Sequence, residues 1–174
     1  MNITSNSTYK IIRYILLSKE FKQVEIHNST ECSKGQVNKV VNWLLSRNFL
    51  EKGKNKYYII DPAGIISLFP LFRNMKDLLI YRIPLRAEKD KILNNLSKEA
   101  VLCLDSALDM IKNKFKPYSG GMIDLEIYKS DMDLENDTIK GVTSKLRTVI
   151  DMTCDGKTYV AKDLFEELWG IRFG

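Results

Sequence analysis

Residues 33 to 60 carry the pattern that most constrains this chain: a helix-period apolar stripe that runs directly into a short hairpin. Val37, Val40, Val41, Leu44 and Leu45 recur at i, i+3, i+4, i+7 and i+8, the spacing that lines one face of an α-helix. Ser33 stands where such a helix takes its N-cap. FLEKG and KYYII then read as two strands joined at Gly53-Lys54-Asn55, because Gly and Asn tolerate the positive φ of a tight turn. A helix with one apolar face needs neighbours to bury it, and the preceding residues supply two. Ser7 or Thr8 can cap a first helix with Ile12, Ile15, Leu16 and Tyr9 at three-four spacing, ending near Ser18. Gln23 to Asn28 reads as a short second helix, closed by the turn formers Asn28, Ser29 and Thr30.

With the valines and leucines inward, the helical wheel puts Lys34, Gln36, Asn38 and Lys39 on the outer surface of the third helix. Three helices followed by a basic hairpin make a winged helix-turn-helix. The charge is placed accordingly. Of 27 Lys/Arg and 22 Asp/Glu, ten basic and four acidic residues fall in the first 60 positions, leaving seventeen against eighteen for the rest. The basic character therefore belongs to the N-terminal third, which favours a polyanionic partner. A helix fits the major groove, where Gln, Asn and Lys reach base edges, while hairpin lysines meet phosphates. The candidate DNA-binding set is Ser33, Lys34, Gln36, Asn38 and Lys39 on the helix, with Lys52, Lys54, Asn55 and Lys56 on the wing. Trp43, beside the valine stripe, is expected to be half-buried in packing or in a dimer contact.

The stretch SKGQVNKVVNWLLSRNFLEKGKNKYYIIDPAG resembles the recognition helix, wing and exit of MarR-like or ArsR-like transcriptional regulators over about the first 70 residues. The resemblance implies that Lys34, Gln36, Asn38 and Lys39 contact DNA and that Lys52 to Lys56 form the wing.

From Asp61 the pattern changes. Pro62-Ala63-Gly64 opens a short apolar helix through Phe72, and residues 78 to 85 read as a strand. A helix is expected from Ala87 to Leu96 and another, capped by Ser97, with Val101, Leu104, Leu108, Ile111 and Phe115 on one stripe. After a loop at Pro117 to Gly121, MIDLEIY alternates, and Val142 to Met152 alternates again, predicting two strands of one sheet. A last helix places Ala161, Leu164, Phe165, Leu168 and Trp169 on one stripe and stops at Gly170. The fold class expected is α+β, with a winged helix-turn-helix at residues 1–75 and a small α+β domain at 76–174 for dimerisation, partner binding or effector sensing. EAVLCLDSALDM, KLRTVIDMTCDG and AKDLFEELWG are similar to the C-terminal domain of AbiEi-type antitoxins, which implies autorepression and a cognate nucleotidyltransferase toxin as partner.

Several functions are disfavoured by what the chain lacks. His27 is the only histidine, so His pairs and His-based metal clusters are excluded. Asp131 to Asp137 starts like a calcium loop, but Asn136 replaces the turn glycine and Val142 stands at the bidentate position; a solvated acidic loop is expected. Asp124 and Glu126 on one strand face could hold magnesium for a nucleotidyltransferase, and they define the rival reading. Against it stands an edge strand with a wet acidic face. A third reading is a winged-helix adaptor that binds only protein. No phosphate-binding glycine motif occurs, and no cofactor and no enzymatic activity are expected. Cys32, Cys103 and Cys154 never form a CxxC pair, and MNITSNSTYK lacks the apolar core of a signal peptide. These point to reduced structural thiols, a cytoplasmic location and no membrane. Double-stranded DNA is the expected partner, bound by a homodimer.

Overall fold

The computed structural model of the chain describes residues 2–85, 101–112, 123–128 and 137–172. It is an α+β protein in two compact units, Met1–Phe72 and Arg73–Gly174.

The first unit opens with α1 (Asn6–Leu17), which buries Tyr9, Ile11, Ile12, Ile15 and Leu16. Its cap is Ser5 rather than Ser7 or Thr8: the Ser5 hydroxyl oxygen accepts from the Thr8 backbone N–H at 3.2 Å, while the Ser5 and Thr8 hydroxyls both donate to the Asn2 carbonyl. Two hydroxyls sharing one carbonyl carry the start of the helix back towards the chain's beginning. After β1 (Glu20–Phe21), α2 spans Gln23–Thr30 and α3 spans Lys34–Leu45. Val37, Val40, Val41 and Leu44 are wholly buried, and the Ser33 hydroxyl caps α3 by accepting from the Gln36 backbone N–H at 3.2 Å. Strands β2 (Leu50–Lys52) and β3 (Tyr57–Ile59) form the hairpin. β1 completes a three-stranded antiparallel sheet in the order β1-β3-β2.

Beyond the sheet, Asp61 caps α4 (Pro62–Ile66), with Pro62 in the first turn, where its missing N–H costs nothing. A Cβ on Gly64 would lie 2.3 Å from the Asp61 carboxylate and 2.5 Å from the Phe49 ring, so this turn accepts only glycine. The apolar helix expected through Phe72 is interrupted by a 3₁₀ turn at Phe69–Leu71, because Pro70 clashes with continued α-helix. Phe69 meets Tyr9 edge to face with centroids 5.9 Å apart, which fastens this end of the unit to α1.

The second unit begins three residues earlier than the sequence places it, because Arg73 belongs to its core: its guanidinium donates to Asp151 at 2.6 Å. Its elements are α5 (Met75–Leu78), β4 (Leu79–Leu85), β5 (Val101–Leu102), α6 (Leu104–Ile111), β6 (Ile123–Tyr128), β7 (Thr138–Ile139), β8 (Val142–Thr143), α7 (Lys145–Cys154) and α8 (Lys162–Trp169). The sheet order is β4-β6-β5-β8-β7, antiparallel except for β5 beside β8.

Four expectations change here. Val142 to Met152 is a strand only at Val142–Thr143; it then becomes α7, capped by the Ser144 hydroxyl at 3.2 Å from the Arg147 N–H. Every residue from Leu146 to Thr153 is buried, and a helix buried on all sides loses the 3.6-residue stripe that distinguishes it from a strand. Val101 lies in β5, not on the helix that follows. β6 runs between β4 and β5, so Asp124 and Glu126 stand on an interior strand and not at an edge; antiparallel strands alternate in either position. Asp137, the last residue of the acidic segment, is buried and not solvated, while 131–136 lie outside the described residues. The helix expected at Ala87 to Leu96, Phe115, and the loop at Pro117 to Gly121 lie outside the described residues. Lys140 and Gly141, at φ 52° and 77°, make the two-residue turn between β7 and β8 whose positive dihedrals match strand twist.

Candidate nucleic-acid interface

Helix α3 buries one side and turns the other to solvent. Lys34, Gly35, Asn38, Lys39 and Asn42 are exposed. Gln36 is half-buried and sits two residues, hence roughly 200° of helical rotation, from Asn38, so these two occupy opposite flanks of the face. Gln36 lines a crevice of about 390 Å³ shared with Asn2, Ser5, Thr8, Ser33, Gly35 and Lys39. The first turns of α1 and α3, with their capping serines, meet around it, and helix N-termini present unpaired N–H groups and a positive dipole end. Gly35 faces open space: a Cβ there would meet nothing within 4 Å.

On the other flank, side-chain amides run from α3 to the hairpin. Asn38 Oδ1 accepts from Asn42 Nδ2 at 3.1 Å and from Gln23 Nε2 at 3.4 Å. Gln23 Nε2 also donates to the Tyr57 hydroxyl at 3.1 Å, and the Tyr57 ring stacks on Phe21 with centroids 5.6 Å apart. The first residue of α2, the middle of α3 and the start of β3 are thus joined by hydrogen bonds. Gln23, Asn42, Gly35 and Tyr57 were not singled out from sequence; only their spacing, Asn38 and Asn42 one turn apart, offered a signal.

The hairpin tip is closed by the Gly53 N–H donating to the Lys56 carbonyl at 2.9 Å. Lys52, Lys54 and Asn55 are exposed. Lys56 differs, because its ammonium is paired with Glu20 of β1. The hydrogen bond to Glu20 raises the Lys56 pKa above the ordinary lysine value, outweighing the lowering by desolvation. Trp43 is half-buried under the Arg47 guanidinium, 4.0 Å from the ring centroid, a cation–π contact. His27 is half-buried, its Nδ1 2.7 Å from the Cys32 carbonyl.

Among the described residues of the second unit, four charged side chains meet in the interior. Asp151 Oδ1 accepts from Arg73 Nη1 at 2.6 Å and Arg147 Nε at 3.1 Å, and Arg147 Nη1 lies 3.8 Å from Asp137. All four side chains are 2 % exposed or less. Two guanidiniums against two carboxylates neutralise each other, and burial closes them to any ligand. Arg147 and Asp151, four apart in an apolar run, have the spacing of a helical ion pair, although the alternation of that segment predicts a strand. Beside them, burial pushes the Cys154 thiol up to about 11, against the opposing influence of Arg73. No group of three or more metal-ligating side chains occurs among the described residues, and no helix among them is long and apolar enough to cross a membrane.

The chain matches no protein-family model, no curated protein and no solved structure.

Proposed function

We propose that the chain is a sequence-specific regulator of double-stranded DNA whose first unit is a winged helix-turn-helix, with α3 entering the major groove and the β2–β3 hairpin as the wing. The observation that carries the reading is the outward line of α3 and hairpin tip. Lys34, Lys39, Lys52 and Lys54 have no partner among the described residues, and they flank the exposed Asn38, whose side-chain nitrogen faces no partner in the amide chain. Cations left unpaired on the exposed face of a helix and on an adjoining turn suit a groove and its phosphate backbone. The crevice between the α1 and α3 N-termini adds N–H donors suited to a phosphate. The second unit, in this reading, links two copies, because a two-fold operator rewards two joined reading heads; Ile139, Tyr159 and Ile171, 66 %, 73 % and 46 % exposed, are the large apolar residues available for it among the described residues.

The test is affinity of the full chain for the DNA upstream of its own gene and for random duplex, measured across a salt series with sedimentation in parallel. Selective binding by a dimer with a steep salt dependence supports the proposal. Equal affinity for random duplex, or none for either, overturns it in favour of a protein-binding adaptor.

A further inference from the structure

An amide oxygen has two lone pairs and an amide nitrogen two hydrogens. In the chain Asn42–Asn38–Gln23–Tyr57, both lone pairs of Asn38 Oδ1 are taken by Asn42 and Gln23, and both hydrogens of Gln23 Nε2 are given to Asn38 and Tyr57. What Asn38 has left to offer is its Nδ2 group alone, two donors and no acceptor, on an exposed part of α3. An unconstrained asparagine suits adenine, whose N6 donates and N7 accepts; guanine instead presents two adjacent acceptors, O6 and N7.

We propose that this hydrogen-bond chain sets the polarity with which α3 reads a base: Asn38 is a donor-only contact that selects guanine over adenine, and Gln23 and Asn42 are positioning residues that hold its oxygen away from the groove. The inference rests on α3 being the major-groove helix. Gln23 lies at the start of α2, outside the third helix, so the reading of a base by α3 depends on a residue that sequence order separates from it by fifteen positions.

The experiment is binding-site selection from a random duplex pool with the full-length protein, followed by Asn38→Ala, Gln23→Ala and Gln23→Glu. Loss of preference in Asn38→Ala identifies the base pair concerned, and guanine is expected there. Replacing that guanine with 7-deazaguanine, which removes N7 and keeps O6, should weaken binding by roughly 2- to 12-fold, half the free energy of a good two-point contact. Gln23→Ala releases Asn38 Oδ1 and should let adenine compete. Gln23→Glu cannot donate to Asn38 and accepts from its Nδ2 instead, so the preference should move to adenine, with melting curves confirming that the fold is retained. A purely structural role for Gln23 would change affinity without changing which base is chosen. A preferred site with a base other than guanine at the Asn38-dependent position, no Asn38-dependent position at all, or an unaltered guanine preference in both Gln23 variants overturns the inference while leaving the groove assignment standing. Failure of the wild-type chain to select any sequence overturns both.

Discussion

The wing offers a test in which two variants push one observable in opposite directions. Sequence alone counts three lysines at the hairpin, Lys52, Lys54 and Lys56, but Lys56 is paired with Glu20 while the other two have no partner among the described residues. A lysine and a glutamate held together carry no net charge to a phosphate. Each phosphate neutralised contributes about 0.9 to the log–log slope of affinity against salt. Lys52→Ala with Lys54→Ala should therefore flatten the slope by roughly 1.8, so that the variant loses about tenfold less affinity than wild type between 50 and 200 mM salt. Glu20→Gln removes the competitor and frees Lys56, and the slope should steepen by up to about 0.9. The pair is half in solvent, 39 % and 47 % exposed, where such bridges are worth about 0–1 kcal/mol, so stability should hardly change in any of these variants. Fluorescence titration of a labelled duplex at five or six salt concentrations, with urea melts alongside, measures both quantities. Slopes that coincide for wild type, the double lysine variant and Glu20→Gln would refute the assignment of this hairpin to the phosphate backbone.

Gly35→Ala should stabilise the free protein, since a glycine inside a helix costs about 0.5–1 kcal/mol relative to alanine and the new methyl meets nothing. Binding to DNA should weaken if the groove wall approaches the first turn of α3; a rise in the urea midpoint with unchanged affinity would put the DNA elsewhere. Asp151→Asn removes the carboxylate that Arg73 and Arg147 share in the core and should cost about 3–5 kcal/mol, the usual penalty for breaking a buried pair; a loss below about 1 kcal/mol in denaturant unfolding would show that the pair is not closed. The Cys154 thiol has its folded pKa raised from 9.0 to about 11, so the folded state keeps its proton where the unfolded chain has lost it. Its contribution to stability is full below pH 9 and should fade as pH rises towards 11, a dependence that Cys154→Ala removes.

What was legible in sequence follows from how each element is buried. α3 was plain because Val37, Val40, Val41 and Leu44 lie against neighbours on one side while Lys34, Asn38 and Lys39 meet water, and the resulting contrast is the signal periodicity measures. The hairpin was equally plain from Gly53 and Asn55. α7 hid for the converse reason: with Leu146 to Thr153 all buried, no polar face remained to reveal the helical period. β1 was invisible because two residues supply one inward side chain, Phe21, and its pairing with Tyr57 and Tyr58 is non-local. Asn38 could be named as a candidate base contact from its place on the helical wheel. The hydrogen bonding of its side-chain oxygen could not, because it includes a donor from α2 that only the folded chain brings within reach.

The two clusters of polar side chains also differ in what they do for the fold. Arg73, Asp137, Arg147 and Asp151 are sealed from water, where each lost partner is expensive, so their geometry is enforced by the core itself. Gln23, Asn38 and Asn42 are half-buried or exposed, and water would satisfy them almost as well as they satisfy one another. Holding a glutamine side chain in one rotamer costs up to about 1.5–2 kcal/mol of conformational freedom, which surface hydrogen bonds of this kind do not comfortably return. Such ordering does little for stability. It does, however, shift the entropic cost of fixing those side chains from the moment of binding to the moment of folding, which is how a preorganised surface gains affinity without gaining contacts. On the proposed reading, the amide chain on α3 is preparation for DNA more than support for the unit that carries it.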